Sequence, residues 1–136
     1  MNARFDPEFG SICVPVTVVG PRWSHDLQCV IDSGSQQTIL PTIFLRALGC
    51  DLSKPAGRVR IRSATGTASV PLIRVSAIMA LDRVRPDFLV AAHDFPLGTT
   101  ADGLLGLDFF LGFILNLDFI RGRASLFGRS RWQFWR

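Results

Sequence analysis

The stretch that decides the fold is Cys29-Val-Ile-Asp-Ser-Gly-Ser-Gln-Gln-Thr-Ile-Leu-Pro41, in which one acid, Asp32, stands between an apolar run and a turn of small residues. Cys29, Val30 and Ile31 read as the end of a strand, and Ser33-Gly34 reverses the chain just after the carboxylate. Taken alone, this is an ordinary β-turn, because Asp, Ser and Gly all favour turns for local hydrogen-bonding and steric reasons. A second segment, Asp102-Gly-Leu-Leu-Gly-Leu-Asp-Phe-Phe110, sets two apolar residues between glycines ahead of a helix-like turn. Its glycines allow the backbone to approach a neighbour closely before Leu107, Phe109 and Phe110 are buried. Taken alone, it too is ordinary, a strand-to-helix corner.

Around these two segments Val, Ile and Thr cluster in short runs punctuated by Gly and Pro, a pattern of strands. Strands are expected at Ser11 to Val19, Leu27 to Ile31, Val59 to Ile61, Thr67 to Val70, Leu72 to Leu81, Asp87 to Ala92, Ile114 to Phe119 and Ala124 to Phe127. Two places read as helical. Pro41 to Leu48 has Pro near its start and Gly49 where a C-terminal cap belongs, and Leu107 to Leu111 has room for a short turn. The expected class is all-β, mainly strand with one or two short helices, in a single-lobed closed barrel or sandwich.

With 136 residues the chain supports one hydrophobic core and not two. Its net charge of +4 is a property of one end: from Arg121 onward there are five Arg and no acid, which leaves the remainder at 10 basic and 11 acidic residues. A nearly neutral body argues against a nucleic-acid-binding domain. Cys13, Cys29 and Cys50 are odd in number, lack metal-ligand spacing and sit among apolar neighbours, so buried reduced thiols are expected. His25 and His93 have no third partner at metal-like spacing and no phosphate-binding glycine loop is present, so neither a metal nor any other cofactor is expected. Acids near Met1 occupy the place of a signal peptide's apolar core, and Gly106, Asp108, Gly112, Asn116 and Asp118 interrupt the most apolar stretch. The expectation is a cytoplasmic protein without a transmembrane segment.

In this order and at this spacing the two segments resemble the retropepsin-like aspartic proteases, the family of retroviral proteases and their cellular and bacterial relatives. The resemblance rests on Val30-Ile31-Asp32-Ser33-Gly34-Ser35, then Thr38-Ile39-Leu40-Pro41, a glycine-containing hairpin from Ser63 to Thr67, Leu104-Leu105-Gly106, and a final hairpin within Asn116 to Phe127. It implies a domain over residues 1–127, with 128–136 as a basic aromatic tail. It also implies an aspartic endopeptidase in which Asp32 is catalytic, Ser33, Gly34 and Ser35 support its loop, and Leu104, Leu105 and Gly106 lie behind the site. The hairpin from Arg58 to Val70 becomes a flap over bound peptide, with Ala64, Thr65 and Gly66 at its tip.

The chemistry of that family needs two carboxyl groups sharing a proton across a water molecule. This chain has one Asp-Ser-Gly, so the resemblance implies a homodimer with the site at its two-fold axis and a peptide or protein as substrate. By the same resemblance Ser33 locks the turn to that of the second copy. A hydroxyl at Ser35 within reach of ionised Asp32 would favour the charged form and shift the activity optimum to acid. Arg58, Arg60 and Arg62 share one face of the flap strand and read first as solvated charges, with substrate contact as the alternative. The tail, Gly128-Arg-Ser-Arg-Trp-Gln-Phe-Trp-Arg136, suits either a strand paired across the dimer or contact with an acidic partner or a lipid surface. The rival to an active peptidase is a peptide-binding or scaffold dimer that kept the fold and lost hydrolysis.

Overall fold

The computed structural model describes residues 2–63, 65–94 and 101–128. The described chain runs β1 (Asn2–Arg4), β2 (Cys13–Val19), β3 (Ser24–Ile31), β4 (Ile39–Leu40), α1 (Thr42–Ala47), β5 (Gly57–Ser63), β6 (Gly66–Ala80), β7 (Arg83–Ala92), β8 (Gly103–Leu105), α2 (Leu107–Phe110), β9 (Phe113–Asp118) and β10 (Arg123–Gly128). The class is the expected one, mostly strand with two short helices.

The larger sheet follows the order β2-β3-β8-β4-β7-β6-β5, and an additional antiparallel pairing of β2 with β6 brings its ends together. Six strands therefore close into a barrel, and β5 hangs outside the ring on the first half of β6. The ring leaves few open edges, the usual liability of short-stranded sheets. A separate three-stranded sheet, β1-β10-β9, joins the two ends of the described chain.

Alternation in the sequence chooses the inward faces. On β2, Val14, Val16 and Val18 are buried while the residues between them are not, and on β3 Leu27 and Cys29 turn inward. These residues pack with Leu40, Leu45, Leu48, Val75, Ile78, Val90, Leu105 and Phe109 in the main core. A smaller cluster of Ile39, Val70 and Ala91, with Val59, Ile61 and Leu104 against it, sits beneath β5. The three cysteines are free, and burial pushes the Cys29 thiol up to about 12, helped by the nearby Asp102 and Cys13. None of the helices among the described residues is long and apolar enough to cross a membrane.

Helix α1 ends as the sequence indicates. Gly49 adopts φ +88, its N–H donates to the carbonyl of Arg46 and that of Cys50 to the carbonyl of Leu45, a double bond pattern that closes the last turn. Elsewhere the boundaries differ from expectation. The two strands expected at Thr67 to Val70 and Leu72 to Leu81 are one strand that ends at Ala80, because Pro71 lies where β6 pairs only with β5, and β7 joins at Leu72. Strand β3 starts at Ser24, since Ser24, His25 and Asp26 pair with β2 through the backbone while exposing polar side chains. Strand β10 includes Gly128, the first residue assigned to the tail, which pairs with Phe113; the rest of the tail lies outside the described residues.

Candidate active site

Asp32 stands at the mouth of a turn held by local hydrogen bonds, by β8 and by the start of α2. Its N–H donates to the carbonyl of Leu105 at 3.0 Å, its carbonyl accepts from the N–H of Ser35 at 3.2 Å, and its Oδ1 accepts from the N–H of Gly34 at 2.9 Å. The carboxyl is thus aimed by a backbone donor two residues ahead, an arrangement that Asp favours in turns. A methyl group at Gly34 would come within 3.2 Å of Asp32 Oδ1, so the small residue keeps the carboxyl accessible.

The two segments singled out in the sequence meet here. β8 runs parallel to β3, setting Val30 beside Leu104 and Ile31 beside Leu105. Beyond it the backbone of Gly106 passes under the turn, where a Cβ would lie 2.9 Å from the carbonyl oxygen of Ser35 and 2.5 Å from the carbonyl carbon of Gln37. Only glycine fits. The N–H of Leu107 donates to Ser35 O at 2.8 Å and that of Asp108 to Gln36 O at 3.2 Å, so the start of α2 grips the far side of the turn.

Thr38 and Asp108 complete the grip. The Thr38 hydroxyl, fully buried, donates to Asp108 Oδ1 at 2.7 Å and accepts from the N–H of Gly106 at 3.1 Å, while the Thr38 N–H donates to both carboxylate oxygens at 3.0 Å. Burial pushes the Asp108 carboxyl above its ordinary value, and the bonds from Thr38 oppose that rise. Arg85 steadies the other end of α2. Its Nε and Nη2 donate to the carbonyl of Phe109 at 3.0 and 2.9 Å, Nη2 also donates to that of Leu111, and its guanidinium lies 4.8 Å from the Phe113 ring centre.

Asp32 opens into a cleft whose floor is formed by Gly34, Ser35, Gln36, Gln37, Ile39 and Leu104. The β5–β6 hairpin supplies the facing wall through Arg60, Ile61, Arg62, Thr65 and Thr67, and His93 and Asp94 border it. Of the residues expected at the hairpin tip, Thr65 is exposed and lines the cleft, Gly66 takes φ +136, and Ala64 lies outside the described residues. Leu105 and Gly106 are buried behind the turn, whereas Leu104 reaches the cleft itself. Ser33 is exposed, and its hydroxyl has no partner among the described residues.

Ser35 departs from expectation. Its hydroxyl donates to the carbonyl of Gln37 at 2.7 Å, so its proton is spent tightening the turn and not on Asp32. Asp108, Gln36, Gln37 and His93 were not singled out by the sequence. Asp94 is the other carboxylate in the cleft, but Thr42 holds it through its N–H at 2.9 Å and its hydroxyl at 2.9 and 3.1 Å. Those bonds keep the Asp94 carboxyl below the usual carboxylate range and tie it to the first residue of α1.

A family model described as aspartyl protease matches residues 14–109, which include both the Asp32 turn and the Gly106 segment. No curated protein matches the chain. The fold is similar to that in the crystal structure of a retropepsin-like aspartic protease from Rickettsia conorii, with a TM-score of 0.63 at 17% sequence identity over 93% of this chain and 91% of that one. With the acid turn, the strand that buttresses it and the closed barrel all within the matched span, the chain belongs to the aspartyl protease family and has a retropepsin-like fold.

Proposed function

We propose that the protein is an aspartic endopeptidase that works as a homodimer, each copy supplying one Asp32. The observation that carries this reading is the accessible carboxyl of Asp32, aimed by Gly34 at the mouth of a peptide-sized cleft, with no free second acid beside it among the described residues. Hydrolysis needs one carboxylate to take a proton from water while another carboxyl group donates to the carbonyl oxygen of the substrate. Asp94 does not serve as the second, because Thr42 holds it in its ionised form. Two Asp32 groups brought to about 3 Å repel by roughly 5 kcal/mol at an effective dielectric near 20, enough for the pair to retain one proton.

Two further features support a second copy beside this acid. The Ser33 hydroxyl is exposed and without a partner among the described residues. A second cavity that reaches Asp32 is lined by Phe5, Pro7, Ile12, Ile31 and Phe119, and the neighbouring Ile120 is 90% exposed. Apolar surface of this kind marks an interaction site. In this reading the β5–β6 hairpin is the flap, its Thr65 and Gly66 near the substrate backbone.

Mixing wild-type chains with Asp32→Asn chains tests the proposal. Asp32→Asn alone is expected to fold, dimerise and show no hydrolysis of a peptide library. In an equal, re-equilibrated mixture the activity falls to about a quarter of the all-wild-type value if both acids are needed, and to about half if each chain works alone. Wild-type protein that binds peptides without cutting them would instead identify a peptide-binding dimer.

A further inference from the structure

The alternating arginines of β5 are not equivalent. Arg58 is spent within the hairpin: its Nε donates to Ser69 Oγ at 3.0 Å and its Nη2 to the Ser69 carbonyl at 2.8 Å. The guanidinium groups of Arg60 and Arg62 have neither a hydrogen bond nor an ion pair among the described residues, and both residues line the cleft that contains Asp32. Two residues along one strand, they stand roughly 7 Å apart at their backbones.

Neither carboxylate of the cleft, Asp32 or Asp94, pairs with them among the described residues. The floor beside the acid turn carries two neutral amides, Gln36 and Gln37, and the remaining carboxylate besides Asp32 is Asp94, whose oxygens are occupied by Thr42. The apolar parts of the cleft, Ile39, Ile61 and Leu104, suit hydrophobic side chains but leave the cations unanswered. A neutral peptide seated here could answer the two guanidinium groups only with uncharged carbonyl oxygens, the weaker kind of acceptor. A carboxylate would replace their water with charge-assisted bonds in the fork geometry arginine favours, and a basic side chain would be repelled.

We propose that Arg60 and Arg62 are specificity residues that select peptides carrying an acidic side chain close to the bond that is cut. This rests on reading the cleft as a peptidase site, and the test separates the two. Labelled peptides with an apolar pair at their centre carry Glu or Gln in turn at each flanking position. Cleavage by the wild-type protein gives kcat/KM, and binding to Asp32→Asn protein gives Kd without turnover.

At one or two flanking positions Glu is expected to exceed Gln by about two- to fivefold per guanidinium, the size of a solvent-screened ion pair. The advantage should shrink as salt is raised to about 0.5 M. It should collapse in Arg60→Gln/Arg62→Gln, and in Arg60→Glu/Arg62→Glu it should pass to peptides with Lys at the same positions. Both side chains are exposed, and the Glu to Gln ratio is taken within one preparation, so a change in folded fraction does not move it. Equal handling of Glu and Gln at every position, or an advantage unchanged in the double variants, would overturn the assignment. Binding with the Glu preference but no hydrolysis supports the specificity and removes the peptidase reading; hydrolysis without the preference does the reverse.

Discussion

Thr38 and Asp108, seventy residues apart in the chain, are joined by a 2.7 Å hydrogen bond from a fully buried hydroxyl to a carboxylate, and that bond ties the acid turn to α2. Thr38→Val keeps the shape and removes the hydroxyl. The Gly106 N–H then loses its acceptor and Asp108 Oδ1 loses one donor, both in a buried setting. We expect a loss of about 2 kcal/mol or more, read as a lower urea midpoint with an unchanged slope. Peptide hydrolysis should fall further than the folded fraction does, because the turn that carries Asp32 is loosened.

Asp108 should also leave a signature in the pH dependence of stability. Its carboxyl is held above the ordinary 3.8 when folded, chiefly by burial, which the hydrogen bonds from Thr38 oppose. Between the ordinary value and the raised one the folded state holds more protons than the unfolded state, so this group's contribution to stability falls as pH rises through that window and stays reduced above it. Asp108→Asn keeps an oxygen for the Thr38 hydroxyl and removes the titration. The urea midpoint of the variant relative to that of the wild type should therefore rise from acid to neutral pH, against the background rise contributed by carboxyls such as Asp94 and Asp118 that are held below their ordinary value.

Gly106 and Gly57 give a matched pair. A methyl group at Gly106 meets backbone atoms of Ser35 and Gln37 that have nowhere to move, whereas at Gly57 the nearest atom is a Leu72 methyl at 3.8 Å. Gly106→Ala is expected to cost about 3 kcal/mol and to abolish hydrolysis. Gly57→Ala should change stability by less than about 1 kcal/mol. Thermal and urea unfolding of the two variants side by side checks the contrast.

Ser35→Ala removes a donor from a half-buried turn and leaves the Gln37 carbonyl without it. A loss of about 1 kcal/mol is expected. Faster amide hydrogen exchange at Gln37 and Thr38, with β2 and β3 unchanged, would place the effect in the turn.

What could be read in advance follows from how local each signal is. The Asp32 turn, the Leu104-Leu105-Gly106 segment and the cap at Gly49 were legible because Asp, Ser, Gly and Pro act through their own backbone preferences. The alternation of Val14, Val16 and Val18 gave β2 its inward face. The two residues of β4 and the three of β8 are too short to display a period, and they are defined only by their neighbours in the ring. Asp108 stood out only as a break in an apolar stretch, since nothing near it in the chain announces Thr38. Ser35 was read toward the wrong acceptor, because a hydroxyl beside an acid suggests a bond that the turn geometry instead sends to Gln37. The difference among Arg58, Arg60 and Arg62 depends on where Ser69 lies across the hairpin, which strand alternation alone does not tell.

The outermost strand has a mechanical consequence. From Gly57 to Ser63, β5 pairs only with the Gly66 to Leu72 part of β6, and within that part β6 meets β7 only at Leu72. The two strands make a lever arm joined to β7 only at Leu72, so a swing about that residue would break no rung of the ring behind it. Val59, Ile61 and Val70 make greasy contacts with Ile39 and Ala91, so in the proposed reading the doorway to Asp32 is latched by water's aversion to those side chains.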